Sequence, residues 1–300
     1  MKKVLVIGAA IVDIMVSGAD ASVFQAGSRP TEGIRLSFGG DALNEATVLR
    51  HLGIPVRLET VVGDDEAGRL LLRHMAAADI PTDGVHIRKD LRTGINVVLA
   101  QPDGERSFLT DPQGSLRALG LADIALPYTE DTGIVCLASL FVSPLLGISE
   151  MTELFRQAKA QGLITCADTV RSKKGETVAD MAPLLPCLDY LIPSEEEALQ
   201  LTRCATIEEA AEEFCRRGAK TVIVKSGPRG CYVRTAQRAY WVAGEQTVPS
   251  VDTTGAGDSF TAGFLSGLAR ELPLEECIAI ANHCGAMAVQ HVGATTWTEV

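Results

Sequence analysis

The sequence predicts an α/β fold in which helices flank a doubly wound, mostly parallel sheet, with a small β lid beside it. The first observation is an apolar run at residues 4–8, which is typical of a buried parallel strand. The second is the regular alternation of strand-like and helical runs from residue 134 onward, which favours a parallel sheet. The third is that a glycine turn opens directly onto a helical run twice, near residues 39–40 and 255–257.

The N-terminal third supplies the first strand and the predicted lid. Its start resembles a signal peptide, but Asp13 interrupts the apolar run and a buried strand explains that run equally well. Residues 14–38 show no helical period, only short apolar stretches split by Gly and Pro. Residues 92–110 add strand-like segments around a hairpin turn signal at 102–105. We therefore predict one domain over residues 1–300, with a discontinuous β lid from about 14–38 and 92–110.

The other apolar runs follow in order along the chain. Short runs are predicted as strands, and longer runs with apolar residues three and four positions apart are predicted as helices. The predicted strands are 58–62, 134–137, 163–167, 190–192 and 222–224, with a terminal antiparallel pair at 231–233 and 240–242, and the predicted helices are 67–77, 149–160, 195–201, 207–217, 259–270 and 274–291.

Composition and charge restrict the class of protein. A chain of 300 residues with 46% hydrophobic and 22% charged residues is typical of a globular protein. A formal charge of -11 argues against a nucleic-acid surface, because phosphate backbones require clustered Lys and Arg. The eight cysteines include no C-x-x-C pair, which indicates reduced thiols and a cytoplasmic protein. No apolar run reaches the roughly 18 residues of a membrane span.

The functional interpretation depends on the stretch Asp252-Thr253-Thr254-Gly255-Ala256-Gly257-Asp258. Small residues let the backbone approach a ligand closely and leave several N–H groups pointing in one direction. A helix beginning near Gly257 would add its positive dipole end, so the stretch predicts an anion site. Asp258 would lie inside that site. An ordinary acidic first turn after a glycine-rich loop is the alternative.

A second candidate site lies near the N-terminus. Gly39-Gly40 forms a turn before a helical run that places Asn44 in its first turns. Asn is a mediocre helix former, so a functional reason is plausible, although a surface Asn is the alternative. Asp13 is expected at the carboxyl end of the first strand, where open α/β sheets bind ligands, with a solvated turn Asp as its alternative.

The chain resembles the ribokinase-like carbohydrate kinases of the PfkB family. The resemblance rests on the order and spacing of these two motifs and of a C-terminal segment, which comprises Ala281-Asn282-His283-Cys284-Gly285-Ala286 and Gly293-Ala294. The resemblance extends over nearly the whole chain. It implies ATP-dependent phosphorylation of a hydroxymethyl group on a fold with a central α/β domain and a small β lid.

The chemistry of phosphoryl transfer is consistent with this resemblance. The reaction needs a group that receives the hydroxyl proton and donors that neutralise spreading negative charge. Asp258 suits the general base, and the N–H groups of Gly255, Ala256 and Gly257 suit the phosphoryl oxygens. Such a backbone site would let a chain of net charge -11 hold ATP.

For the acceptor, the family implies that Asp13, Gly39, Gly40 and Asn44 bind sugar hydroxyls. Ser139, at a predicted strand end, is a further candidate in a place where ribokinase-like members often carry Glu. Asp41 adds a carboxylate beside the glycines. That disfavours a phosphorylated acceptor, because like charges would meet in a desolvated pocket.

For the nucleotide, Ser226-Gly227 resembles the nucleotide loop of the family and Asn282 an adenosine-side position. Lys225 is counted with the nucleotide residues, and a local feature of its strand is favoured over a catalytic lysine. The N-x-x-E motif of the family appears with Ser194 in place of Asn, and Glu197 keeps the spacing to organise Mg²⁺ through water.

A monovalent cation site is also implied by the resemblance. Asp252, with backbone carbonyls of Thr254, Ala288 and Gly293, would bind K⁺. Asp168 and Arg171 form a D-x-x-R pattern found in some sugar-acid and fructose kinases, and a surface salt bridge is the alternative.

The sequence therefore predicts an ATP-dependent kinase for a small unphosphorylated sugar. A nucleoside kinase is the alternative enzyme, although an aromatic content of only 5% leaves few rings to stack on a base. A non-catalytic sugar or nucleotide sensor is the alternative outside enzymes. An exposed apolar face of the lid would favour a homodimer through that lid.

Overall fold

The computed structural model describes residues 1–101, 106–245 and 248–299, and the predicted turn at 102–105 lies outside them. The strands are β1 (Lys3–Gly8), β2 (Ile11–Ser17), β3 (Gly33–Gly39), β4 (Val56–Gly63), β5 (Val85–Arg88), β6 (Ile95–Ala100), β7 (Arg106–Thr110), β8 (Thr132–Leu140), β9 (Ile164–Thr169), β10 (Tyr190–Ile192), β11 (Thr221–Lys225), β12 (Cys231–Thr235) and β13 (Ala239–Val242). The helices are α1 (Val23–Ala26), α2 (Asp41–His51), α3 (Glu66–Ala77), α4 (Ile148–Ala160), α5 (Glu195–Thr202), α6 (Ile207–Arg216), α7 (Ala256–Ala269) and α8 (Leu274–Ala288).

The larger sheet has the strand order β13-β12-β11-β10-β9-β8-β1-β4-β5. Its strands run parallel from β5 to β11, and β12 and β13 continue it as antiparallel neighbours. One apolar core lies between this sheet and the helices α2, α3, α7 and α8, and a second lies between the sheet and α4, α5 and α6. This is the predicted doubly wound α/β fold, with helices on both faces.

The smaller sheet has the order β3-β2-β6-β7 and consists of the segments predicted as the lid. Its strand β2 runs parallel to β6 and antiparallel to β3. Large apolar side chains on this sheet face solvent, and among them Ile34 is 68% exposed, Leu36 56% and Leu109 59%. We call Ile34, Leu36 and Leu109 the lid face.

Helices α7 and α8 pack closely because α7 carries glycine where they meet. A β-carbon on Gly263 would lie 2.9 Å from the carbonyl oxygen of Ile280, and one on Gly267 would lie 2.8 Å from the Cα of Cys277. The adjacent side chains of Phe264 and Leu265 are fully buried. This contact fixes the direction in which the first turn of α7 points.

The predicted elements are present, and the structure adds α1 and β5 to them. Strand β5 was not predicted, because its alternating run Val-His-Ile-Arg is only four residues long. Helix α8 ends at Ala288, three residues before the predicted end at His291. Asp13 lies inside β2 rather than at the end of β1. None of the helices in the described part of the chain combines the length and apolar composition that crossing a bilayer requires.

Candidate active site

The first turn of α7 carries the predicted anion loop. Gly255 precedes the helix with φ of 72°, a left-handed conformation that favours glycine. A β-carbon at this position would lie 2.6 Å from the Cα of Ala294, so only glycine fits between the helix and the C-terminal segment. The helix begins at Ala256, and this places Gly257 and Asp258 in the turn whose N–H groups have no partner inside the helix.

The carboxylate of Asp258 is oriented by Asn44 in helix α2. The Nδ2 atom of Asn44 donates to Oδ2 of Asp258 at 2.7 Å. Burial, followed by the nearby charge of Asp41, raises the pKa of Asp258 well above its usual value. The side-chain oxygen of Asn44 is buried without a hydrogen-bond partner among the described residues. An acceptor hydroxyl could satisfy that oxygen.

A cavity of about 400 Å³ opens on one side of the anion loop, and we call it the acceptor cavity. It brings together all the residues that the sequence assigned to the acceptor except one. Its polar lining includes Asp13, Ser37, Asp41, Asn44, Asn96, Lys173, Thr254 and Asp258, and its apolar lining includes Ile11, Met15, Phe38, Val98, Phe108, Leu116, Val142 and Val170.

The two glycines of the N-terminal motif let backbone and carboxylate come close in this cavity. Gly40 has φ of 95°, and a β-carbon there would lie 2.5 Å from the carbonyl oxygen of Ala9. A β-carbon on Gly39 would lie 2.3 Å from the Oδ2 atom of Asp13. Both positions therefore need glycine for this packing.

Asp13 reaches the cavity from β2, where it faces Asn96 of β6 in the strand register. Burial raises the pKa of Asp13 to about 6, although a hydrogen bond with the Asn96 side chain lowers it in part. Asn96 was not predicted, because its position opposite Asp13 depends on how the two lid strands pair.

Ser139 is the exception among the predicted acceptor residues. It is not among the described residues that line the acceptor cavity. Its hydroxyl donates instead to Oδ2 of Asp41 at 2.7 Å. Ser139 therefore holds the carboxylate of Asp41, which does line the cavity.

A second cavity, of about 580 Å³, lies on the other side of the loop, and we call it the donor cavity. Among the predicted nucleotide residues, Ser194, Lys225, Gly227 and Asn282 line it. Ser226 is not in the described lining, and its hydroxyl donates to Oε2 of Glu195 at 2.6 Å. The remaining lining includes Pro228, Gly230, Gly244, Glu245, Val248, Ser250, Thr253, Ala256, Gly257, Phe260, Gly285, Ala286 and Val289.

Asp168 is buried and contacts Lys225. The interpretation of Asp168 and Arg171 as a surface salt bridge is therefore wrong. The Nζ atom of Lys225 donates to Oδ2 of Asp168 at 2.5 Å, and the Thr261 hydroxyl donates to the same oxygen at 2.7 Å. Asp168 is 2% exposed. The pair thus connects strands β9 and β11 to helix α7 beneath the anion loop.

A scan against family models matches residues 1–299 to the pfkB family carbohydrate kinases. The chain belongs to the pfkB family. Among curated relatives, the fructoselysine 6-kinase of Escherichia coli is 31% identical over 259 residues, which cover 85% of this chain and 91% of that protein. The chain is accordingly an ATP-dependent sugar kinase.

Solved structures show the same fold. The ribokinase of Thermotoga maritima superposes with a TM-score of 0.83 at 23% identity, covering 99% of this chain and 96% of that one. A fructokinase of Vibrio cholerae, in a form with fructose, ADP and potassium ion bound, gives a TM-score of 0.81 at 23% identity over 99% and 95%. The ribokinase-like fold predicted from the sequence is therefore confirmed.

The carboxylate of Glu197, the predicted Mg²⁺ residue, is held at the start of α5. Oε2 of Glu197 accepts from the backbone N–H of Ser194 at 2.8 Å and from the hydroxyl of Thr169 at 2.8 Å. The side-chain oxygen of Ser194 in turn accepts a hydrogen bond from the backbone N–H of Glu197. The described residues contain no cluster of three or more His, Cys, Asp or Glu that could hold a metal ion.

The carboxylate of Asp252, a predicted K⁺ ligand, is held between two backbone segments. It accepts from the N–H groups of Thr254 and Gly293, each at 2.8 Å, and the backbone N–H of Asp252 donates to the carbonyl of Val289. These bonds join the segment before α7 to the segment after α8.

Proposed function

We propose that this kinase transfers the γ-phosphoryl group of ATP to a hydroxymethyl group of a small unphosphorylated sugar. The observation that supports it is the position of Asp258. This carboxylate lies in the anion loop, lines the acceptor cavity and is held by Asn44, while its neighbour Gly257 lines the donor cavity. A hydroxyl in one cavity and a phosphate in the other would meet at this residue.

In the proposed reaction, Asp258 accepts the proton of the acceptor hydroxyl as its oxygen attacks the γ-phosphorus. The new bond joins the acceptor oxygen to phosphorus, and the bond from phosphorus to the β,γ-bridging oxygen breaks, so that ADP leaves with that electron pair. The N–H groups of Gly255, Ala256 and Gly257 stabilise the phosphoryl oxygens. A bound Mg²⁺ would neutralise phosphate charge, with Glu197 positioning its water.

The acceptor cavity supports a polyol as substrate. Carboxylate and amide groups from Asp13, Asp41, Asn44 and Asn96 offer hydrogen-bond partners to sugar hydroxyls. The two carboxylates disfavour an acceptor that already carries phosphate. The exposed side chain of Lys173 also lines this cavity, and its positive charge would attract a phosphate group. Sugar phosphates are therefore included in the test.

The test is a turnover screen of the full chain with ATP, Mg²⁺ and K⁺. The acceptors are pentoses, hexoses, sugar acids, N-substituted amino sugars, sugar phosphates and nucleosides, and ADP release is measured. We expect turnover with an unphosphorylated sugar. Preference for a nucleoside or a sugar phosphate would contradict the proposed substrate class, and binding without any turnover would favour a sensor.

The Asp258→Asn variant tests the general base. It keeps the shape of the side chain and removes the proton acceptor, so we expect kcat to fall by about two to four orders of magnitude. Nucleotide affinity, measured by calorimetry, should remain close to that of the parent. A variant with the turnover of the parent would show that Asp258 is not the base.

We also propose that K⁺ binds at the Asp252 loop and that the protein is a cytoplasmic homodimer. The hydrogen bonds of Asp252 across two segments support the cation site. The eight cysteines, all free thiols, support a reducing compartment. The exposed apolar residues of the lid face support pairing with a second copy.

A further inference from the structure

We propose that Lys225 is a catalytic residue that contacts the transferred phosphoryl group, and that Asp168 and Thr261 position it. This inference rests on the proposed phosphoryl transfer and adds a side-chain cation to its backbone donors. It begins from the location of the ammonium group. A β-carbon on Gly257 would lie 3.4 Å from Nζ of Lys225, so the cation lies beside the first turn of α7.

The described lining of the donor cavity contains little positive charge to balance the phosphates of a nucleotide. Lys225 is the only cationic side chain among the described residues of its lining. Several carboxylates surround the loop, including Asp41, Asp168 and Asp258. A nucleotide would bring further negative charge into this environment, and the protein carries a net charge of -11. A charged Lys225 at the loop offsets part of that repulsion where the transferred group would lie.

The structure keeps Lys225 charged although it is nearly buried. Its side chain is 14% exposed, and that of Asp168 is 3% exposed. Burial opposes the charge, but the carboxylates of Asp168 and Glu197 outweigh burial and raise the pKa of Lys225. An ammonium has three donors, and one is used by Asp168, so donors remain for a phosphate oxygen.

Asp168 and Thr261 fix the direction of the ammonium. Oδ2 of Asp168 accepts from both Lys225 and Thr261, while its Oδ1 accepts from the backbone N–H of Thr169. Thr261 is fully buried and lies in α7, one turn after the anion loop. The helix that carries the loop therefore also sets the position of the cation through one hydroxyl.

Glycine at 257 is part of the same arrangement. A methyl group there would contact the ammonium of Lys225 at 3.4 Å. In the proposed site, the absence of a side chain at 257 leaves Lys225 and the backbone donors open to the same ligand oxygen.

The Lys225→Met variant tests the catalytic role, because it keeps the length of the side chain and removes its charge. We expect kcat to fall by about 10²–10³-fold, the effect of losing one donor to a transition-state oxygen. By calorimetry, affinity for a non-hydrolysable ATP analogue should fall, whereas affinity for ADP should not change. Turnover like that of the parent, or equal losses for ADP and the ATP analogue, would overturn the proposal.

Removing the partner of a buried carboxylate can itself unfold a protein, so a gentler pair of variants tests the positioning role. Thr261→Val keeps the shape and removes the hydroxyl, and we expect kcat to fall about tenfold with little change in the KM for the acceptor. Thr261→Ser keeps the hydroxyl and should restore the kcat of the parent. If Thr261→Val and Thr261→Ser have the same kcat, the hydroxyl of Thr261 does not position Lys225.

The calorimetric comparison keeps this inference separate from the proposed function. Absence of turnover with every acceptor would contradict the proposed function, because the chemistry itself would be missing. The difference between ADP and the ATP analogue still measures whether Lys225 contacts the terminal phosphate. If Lys225→Met binds the analogue as tightly as the parent does, the inference fails on its own.

Discussion

In the proposed mechanism, the side chain of Asn44 serves both the base and the acceptor. Its amide nitrogen holds Asp258, and its buried oxygen has no partner among the described residues. A buried polar atom without a partner costs free energy, and a ligand that satisfies it recovers that cost on binding. Asn44 therefore favours an acceptor hydroxyl close to the carboxylate that would deprotonate it.

Asp13 should make acceptor binding depend on pH. Its pKa of about 6 lies above the usual value because the carboxyl is buried. As the pH falls through 6, Asp13 gains a proton and loses capacity to accept hydrogen bonds from sugar hydroxyls. We expect the KM for the acceptor to rise between pH 7.5 and 5, while the KM for ATP changes little.

The matched variant for this experiment is Asp13→Asn. It should show a high KM for the acceptor that stays constant across the same pH range, because nothing titrates at position 13. A parent enzyme whose acceptor KM does not change between pH 7.5 and 5 would contradict the role of Asp13.

At the scale of elements, the contact between α7 and α8 positions the anion loop and should tolerate no added volume. The Gly263→Ala variant places a methyl group 2.9 Å from the carbonyl oxygen of Ile280. We expect the free energy of unfolding in urea to fall by about 1–3 kcal/mol, the usual cost of overpacking.

The control is Gly285→Ala in α8, where the nearest atom to the new methyl group lies 3.4 Å away. Alanine is a better helix former than glycine by about 1 kcal/mol, so this variant should be neutral or more stable. If Gly263→Ala and Gly285→Ala unfold at the same urea concentration, the close contact does not contribute to stability.

The sequence predicts elements and loops well where local chemistry determines them. Gly255 and Gly257 were found because a backbone that approaches an anion needs small residues. The features that escaped prediction depend on tertiary pairing. Asn96, which was not predicted, enters the acceptor cavity only through the register of β2 with β6. Lys225 was predicted, but its ion pair with Asp168 joins residues 57 positions apart in the sequence. No local pattern reports such contacts.

At the scale of the whole molecule, the lid face should hold two copies together. The Leu36→Glu variant places a charge in a face that the proposed dimer buries, so we expect a monomer by light scattering. Leu145→Glu is the control, because Leu145 is similarly exposed at 54% but lies in the turn before α4, outside the smaller sheet. A parent protein that is already monomeric would contradict the proposed dimer.

The hydrogen bond between Asn44 and Asp258 joins residues that are 214 positions apart. During synthesis at about 5–20 residues per second, roughly 10–40 s separate their emergence from the ribosome. A growing chain that lacks α7 has neither the proposed base nor the anion loop. Under the proposed mechanism it cannot consume ATP before the rest of the enzyme is available to control where the phosphate goes.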